Sequence, residues 1–359
     1  MSRIPIIPIS PIGPIFPISP SDKSFRRPGL GVQSRPVDQA NDNYHPSRPV
    51  RSPRRLVLRL RDGRQTSVFV HDPPAGTTRR LSVLYVHGIQ SHPGWFAGSA
   101  AAMAAAGHPV FQVTRRGSGD SCVMAAPTLA GPGSTGTAPA GLARAGLARA
   151  DDRGHASSPG QLLDDLTDAA RLVARHACQA RMHLVGVSWG GKLLAAYAGL
   201  GLPRKADLDI ASLTLIAPGL VPRVDVPTLL KLRIALSLPL SQRRLFDIPL
   251  NDVELFTDNP AMQQYLRDDP LRLHQATARF LYVSRQIDRL IARLPDGCID
   301  IPTRLILADR DRIIDNEATA AVVQRLTGKR AEVLTLSGAH TLEFEIDPQP
   351  LYDALTFRE

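Results

Sequence analysis

The stretch HLVGVSWGGKLLAAYAG, His183–Gly199, decides the fold. An apolar run ends at Gly186, a lone serine stands at 188 beside Trp189, glycines follow at 190 and 191, and an Ala/Leu-rich segment begins. Read in order, this is a buried strand, a tight turn and a helix. Gly186-Val187-Ser188-Trp189-Gly190 has the form G-x-S-x-G. On a strand-to-helix turn this pattern lifts the serine hydroxyl above the sheet edge. Glycine is required where a side chain would strike the adjoining strand or helix. The helix start also offers unpaired N–H groups to a developing oxyanion. Bare, the pattern is weak; a strand before it and a helix after it make it specific.

The neighbouring sequence repeats the alternation. LVLRL and TSVFV read as two strands joined by the turn RDGRQ, and LSVLYV (Leu81–Val86) as a buried central strand. A helix over FAGSAAAMAAAG, a strand PVFQV and a helix over SPGQLLDDLTDAARLVARHA lead to the serine. After it come strand ASLTLIAP, strand PTRLILAD, helix NEATAAVVQRLTG, strand AEVLTLSG and a last helix in PQPLYDALTFRE. The fold class is therefore α/β, with a mostly parallel central sheet flanked by helices. Between Pro218 and Pro302 the alternation stops, and Leu/Arg-rich segments of helical period take over. They read as an insertion between two sheet strands.

A serine hydroxyl is a poor nucleophile at neutral pH and needs a base. Of ten histidines, His340 in LTLSGAHTLEF follows the last strand, at the same sheet edge as Ser188. The third member should be a carboxylate after the penultimate strand, where LILADRDRIID offers Asp309, Asp311 and Asp315. Asp311, in the loop, is the expected acid; Asp309, which continues the strand, is the alternative. The order Ser, Asp, His suits such a sheet. Two N–H donors should hold the oxyanion. One is Trp189, directly after the nucleophile. The other comes from HGIQSHPGWF after the central strand, where Ile89 is expected and Gln90 is the alternative. His87 and His92 are expected to brace that loop.

Taken together, His87-Gly88, the turn Arg116-Gly117-Ser118-Gly119-Asp120-Ser121, the Gly186–Gly190 elbow, Asp311 and His340 resemble an α/β-hydrolase. The likeness is nearest to the monoacylglycerol lipase/lysophospholipase and serine aminopeptidase-like branch, and it runs from about residue 56 to the C-terminus. The resemblance implies a helical cap, about 219–301, inserted after the sixth strand. It implies cofactor-free hydrolysis of an acyl ester: a lysophospholipid, a monoacylglycerol or a smaller ester. The same triad serves amidases, thioesterases and carbon–carbon bond hydrolases, and a non-catalytic binder could keep the pocket. Dehalogenases and epoxide hydrolases of the family carry aspartate at the elbow, so Ser188 argues against both. Trp189 replaces the methionine or glutamine often found there, and its ring is expected to narrow the acyl pocket.

Composition bounds the rest. A chain of 359 residues, 43% hydrophobic and 21% charged, can bury roughly 75% of its unfolded surface without metal or disulfide support. Cys122, Cys178 and Cys298 are scattered and form no CxxC, so neither a disulfide framework nor a zinc site is expected, and a cytoplasmic location is. No apolar run is long enough for a membrane helix. The net charge is +10, and residues 1–55 hold nine Arg and Lys against three Asp. This Pro/Arg-rich segment reads as a disordered tail. Its charge admits peripheral contact with an anionic membrane, but a solvated tail explains it more simply. No nucleic-acid motif accompanies it. About 123–150, with AGLARAGLARA, reads as a flexible insertion. No cofactor or metal is expected, and the sequence leaves the oligomeric state open.

Overall fold

The computed structural model describes residues 52–122, 152–177 and 181–355. The strands are β1 (Arg54–Arg59), β2 (Gln65–His71), β3 (Ser82–Val86), β4 (Val110–Val113), β5 (Arg181–Val187), β6 (Asp209–Ile216), β7 (Leu245–Asp247), β8 (Gln275–Thr277), β9 (Thr303–Ala308) and β10 (Glu332–Leu336). The α-helices are α1 (Ala97–Ala105), α2 (Pro159–Ala177), α3 (Trp189–Gly199), α4 (Leu202–Lys205), α5 (Thr228–Leu240), α6 (Pro260–Asp268), α7 (Ala278–Ala292), α8 (Asn316–Leu326) and α9 (Gln349–Ala354).

Eight strands form one sheet in the order β1-β2-β4-β3-β5-β6-β9-β10. The first two pairings, β1 with β2 and β2 with β4, are antiparallel, and the rest are parallel. Every residue of β3, and of β5 after Arg181, is buried. Both sheet faces are therefore covered at the centre, which is why these strands read as unbroken apolar runs rather than alternations. Helix α3 packs on β5 and is buried from Trp189 to Ala198, since Ala195, Ala196 and Ala198 let it approach closely. Helix α2 lies on β1 and β3 and against α3, while α1 lies on β2 and β4 and against α9.

The tail expected over residues 1–55 gives up its last members to the sheet. Arg54 and Arg55 pair with Val70 and Phe69, and Arg55 also bonds the Ser67 hydroxyl and ion-pairs with Asp120. Residues 1–51 of the tail, and all of the 123–150 insertion, lie outside the described residues.

Between β6 and β9 the chain builds α5, α6 and α7, together with the β7–β8 ribbon that helical periodicity alone does not foresee. The segment PLRLHQATARFLYV looks helical throughout, yet α7 starts only at Ala278. Thr277 ends the run: its β-branched residue sits in extended backbone and its hydroxyl accepts the Phe280 N–H at 3.1 Å. Asn259 caps α6 similarly, with Pro260 at its first position. Helix α5 buries only Ile234 and Ser237 and turns Leu229, Leu232, Leu236 and Leu240 outward, between 56% and 88% exposed.

Candidate active site

The carboxyl ends of β3, β5, β9 and β10 meet at one sheet edge, the place where open α/β sheets bind ligands. Val187 ends β5, and Ser188 follows with φ 52° and ψ −121°. A non-glycine residue held at positive φ costs about 1–3 kcal/mol and persists only where its surroundings fix it. Here the Ser188 N–H donates to Ile216 O at 2.8 Å, and its carbonyl accepts from Gly219 N at 2.9 Å and Lys192 N at 3.2 Å. The glycines are explained by contact. A Cβ on Gly190 would lie 2.4 Å from Val86 O and 2.5 Å from His87 O, and one on Gly186 would lie 2.8 Å from Gly191 Cα.

Ser188, His340 and Asp311 come together. His340 Nε2 is 2.9 Å from Ser188 Oγ, and His340 Nδ1 is 2.7 Å from Asp311 Oδ2. The ring and the carboxylate are buried. The other oxygen of Asp311 accepts the N–H groups of Ile313 (2.8 Å) and Ile314 (3.0 Å). Burial pushes the Asp311 carboxyl up, but the His340 ring beside it and these donors outweigh that, and its pKa lies below the ordinary carboxylate value. A carboxylate that stays ionised fixes the proton of His340 on Nδ1 and leaves Nε2 as acceptor toward the hydroxyl. The alternative, Asp309, is engaged elsewhere. Its N–H continues the ladder to Leu336 O, and its Oδ1 accepts the Gly338 N–H at 2.8 Å.

The loop after β3 packs on the serine: a Cβ on Gly88 would lie 3.2 Å from Ser188 Cβ and 3.6 Å from Ser188 Oγ. The N–H groups of Ile89 and Trp189 donate to no acceptor among the described residues. Gln90, the alternative donor, ties the loop to the cap region. Its carbonyl accepts Leu273 N at 2.9 Å, and its Oε1 accepts Arg272 Nε at 3.1 Å. His87 braces the loop as a neutral ring. Burial and the nearby Arg115 charge hold its pKa far below the usual value; Nδ1 donates to Gly88 O at 2.9 Å and Nε2 accepts Arg115 N–H at 3.0 Å. His92 braces it too, donating from Nε2 to Asp269.

The Trp189 ring, expected to narrow an acyl pocket, is itself almost fully covered. It is buried against Phe280 (5.3 Å between centroids) and under the Arg115 guanidinium (4.7 Å), and it donates from Nε1 to Ser284 Oγ at 2.9 Å. Arg115, Asp269, Arg272 and Lys192 are the residues that sequence reading misses. Each works through a partner more than 20 positions away. The only sequence signal is TRR directly after β4, at the edge where the serine emerges. Among the described residues, no group of three or more His, Cys, Asp or Glu is placed to hold a metal ion.

Solved structures share this architecture. A soluble variant of monoglyceride lipase from Saccharomyces cerevisiae, in complex with a substrate analogue, matches with TM-score 0.69 at 16% identity, over 87% of this chain and 96% of that one. The monoacylglycerol lipase of Paleococcus ferrophilus matches with TM-score 0.60 at 17% identity, over 80% and 96%. A thermostable carboxyl esterase from Bacillus coagulans, in complex with glycerol, matches with TM-score 0.62 at 14% identity, over 85% and 97%. No curated protein matches in sequence. At these identities the likeness shows the fold. Sequence goes further, because the family described as serine aminopeptidase, S33 matches residues 77–347, and the chain belongs to that family of α/β-hydrolases.

Proposed function

We propose that this protein hydrolyses carboxylic esters through an acyl-enzyme formed on Ser188. The observation that carries the reading is the relay Asp311–His340–Ser188, at 2.7 and 2.9 Å. Ser188 Oγ attacks the acyl carbonyl while His340 Nε2 takes its proton. Asp311 holds the ring and stabilises the imidazolium. The N–H groups of Ile89 and Trp189 receive the oxyanion. The tetrahedral intermediate collapses, and His340 protonates the departing alcohol. Water, deprotonated by the same ring, then attacks the acyl-enzyme, releasing the acid and restoring Ser188.

The substrate class we favour is a lipid-derived ester, a monoacylglycerol or lysophospholipid. The leucine-faced helix α5 supports it, since an outward apolar face suits a water-insoluble acyl chain. The cytoplasmic assignment rests on cysteine usage; in addition, no described helix is long and apolar enough to cross a membrane.

The test is twofold. A fluorophosphonate probe should label the wild-type protein and leave Ser188→Ala unlabelled. Hydrolysis of p-nitrophenyl esters of graded chain length, beside the matched anilide and thioester, should favour the ester. Anilide or thioester turnover exceeding the ester's would move the assignment to an amidase or thioesterase. No labelling of the folded protein would leave a ligand binder.

A further inference from the structure

The geometry points to Arg115 as a positioning residue that sets both donors of the oxyanion pocket at once. The inference rests on the ester-hydrolase reading above and adds a residue to it.

Arg115 follows β4, which the sheet order places beside β3. Its side chain is buried, and the guanidinium reaches across to the loop after that strand. Nη2 donates to Gly88 O at 3.2 Å and to Ile89 O at 2.8 Å. Gly88 C=O and Ile89 N–H belong to one planar trans peptide group. Gripping that carbonyl therefore aims the N–H the opposite way, and the Ile89 carbonyl contact fixes the next peptide as well. A cation at the oxygen end also polarises the group and makes its N–H a better donor. His87 Nδ1–H grips the same carbonyl at 2.9 Å, and the Arg115 N–H in turn holds His87 at 3.0 Å. The peptide is thus clamped by two donors, Arg115 Nη2 and His87 Nδ1, the second of them itself held by the Arg115 N–H.

The second donor is tied by a different contact of the same group. The guanidinium carbon lies 4.7 Å from the Trp189 ring centroid and 5.5 Å from that of Phe280. Stacking fixes the indole, which fixes the first residue of α3, whose N–H is the other donor. One nitrogen of the guanidinium, Nη2, holds both carbonyls while the planar face lies over the indole; a lysine ammonium has no such face to stack while it reaches them.

The experiment compares wild type with Arg115→Met, which keeps the apolar stem, and Arg115→Lys, which keeps the charge. The readouts are kcat and KM on p-nitrophenyl butyrate and the affinity of an alkyl trifluoromethyl ketone, which forms a tetrahedral adduct with serine. In the Met variant, kcat should fall roughly 30–300-fold, KM should stay within about threefold, and ketone affinity should weaken by the same factor as kcat/KM. The Lys variant should recover no more than a few-fold. A folded Met variant with wild-type kcat overturns the proposal, as does a loss that appears only in KM or leaves ketone affinity intact. If the Met variant does not fold, the Lys variant decides by the same criteria. A wild-type protein inactive on every ester removes the underlying reading and this inference with it; an active wild type beside an equally active variant removes this inference alone.

Discussion

Asp269, in the cap region, accepts the indole N–H of Trp95 at 2.7 Å across 174 residues of sequence. The same oxygen takes His92 Nε2–H at 3.0 Å, and His92 Nδ1 accepts the Gly94 N–H, which fixes the ring's tautomer. Burial pushes the Asp269 carboxyl up, yet these donors hold it below its ordinary pKa. The bond therefore pins the cap to the loop that carries Ile89. Asp269→Ala orphans two buried donors at about 1–3 kcal/mol each, so the urea midpoint should drop by the equivalent of roughly 2–6 kcal/mol. Asp269→Asn, which keeps an acceptor, should lose less.

The two candidate acids should separate cleanly. Asp311→Asn leaves the shape of the relay but reverses the hydrogen-bond polarity at His340 Nδ1, so kcat should fall by about 10⁴. Asp309→Asn retains an oxygen for Gly338 N–H and should keep kcat/KM within about threefold of wild type, since surface changes of this kind are close to neutral. Ester hydrolysis by the two purified variants decides it; a loss confined to the Asp309 variant would exchange their roles.

Gly190→Ala should be among the most damaging single-methyl additions. The new Cβ would meet two backbone carbonyls, Val86 O and His87 O, which cannot rotate away. Overpacking costs about 1–3 kcal/mol where side chains can adjust, and here the upper end applies, with activity lost as α3 shifts. Thermal melting and fluorophosphonate labelling of the same sample measure both.

Glu343 gives a pH signature. Its carboxyl is fully buried; burial raises its pKa from the ordinary 4.5 to about 7, although the Ser99 N–H and the Tyr352 hydroxyl favour the charged form. The folded state therefore binds a proton that the unfolded state has already released between pH 4.5 and about 7. In that window this group's contribution to stability falls as pH rises, by up to about 3 kcal/mol in total. Between pH 4.5 and about 7 the Tm of wild type should fall with rising pH more steeply than that of Glu343→Gln; parallel curves would contradict the assignment.

The leucine face of α5 should matter only at a lipid surface. Leu232→Glu and Leu236→Glu change exposed positions and should leave Tm and turnover of a short soluble ester within error. Hydrolysis of monoacylglycerol in phosphatidylcholine vesicles should drop at least fivefold, given the transfer cost of a charge into an apolar interface. Equal loss on both substrates would instead make α5 a structural part of the pocket.

Much of this molecule was legible before any coordinate. The central strands announce themselves because burial on both faces demands unbroken apolar runs, and Ser188, Asp311 and His340 follow from which strand ends share an edge. The sequence favours Asp311 because it lies in the loop, and Asp309 stays the alternative because the choice turns on where the β9 ladder stops; Asp309 N–H still reaches Leu336 O, while Asp311 meets His340. The β7–β8 ribbon was hidden in three-residue strands too short to show alternation. Arg115 escaped notice because its partners, Gly88, Ile89 and Trp189, are brought to it only by the strand order β4-β3-β5. The place of the Trp189 ring is not legible in the sequence, because nothing there says that α7 reaches back to receive its indole.

That reach has a further meaning. Trp189 donates to Ser284 and Lys192 Nζ donates to Asp288 at 2.7 Å, so α7 is fastened one turn apart to the helix that begins after Ser188. The inserted helix α7 and the core helix α3 are thus a single casting along this seam. A designer who exchanges the inserted segment to change selectivity must keep acceptors equivalent to Ser284 and Asp288 for Trp189 and Lys192, or the graft will loosen the helix that follows Ser188.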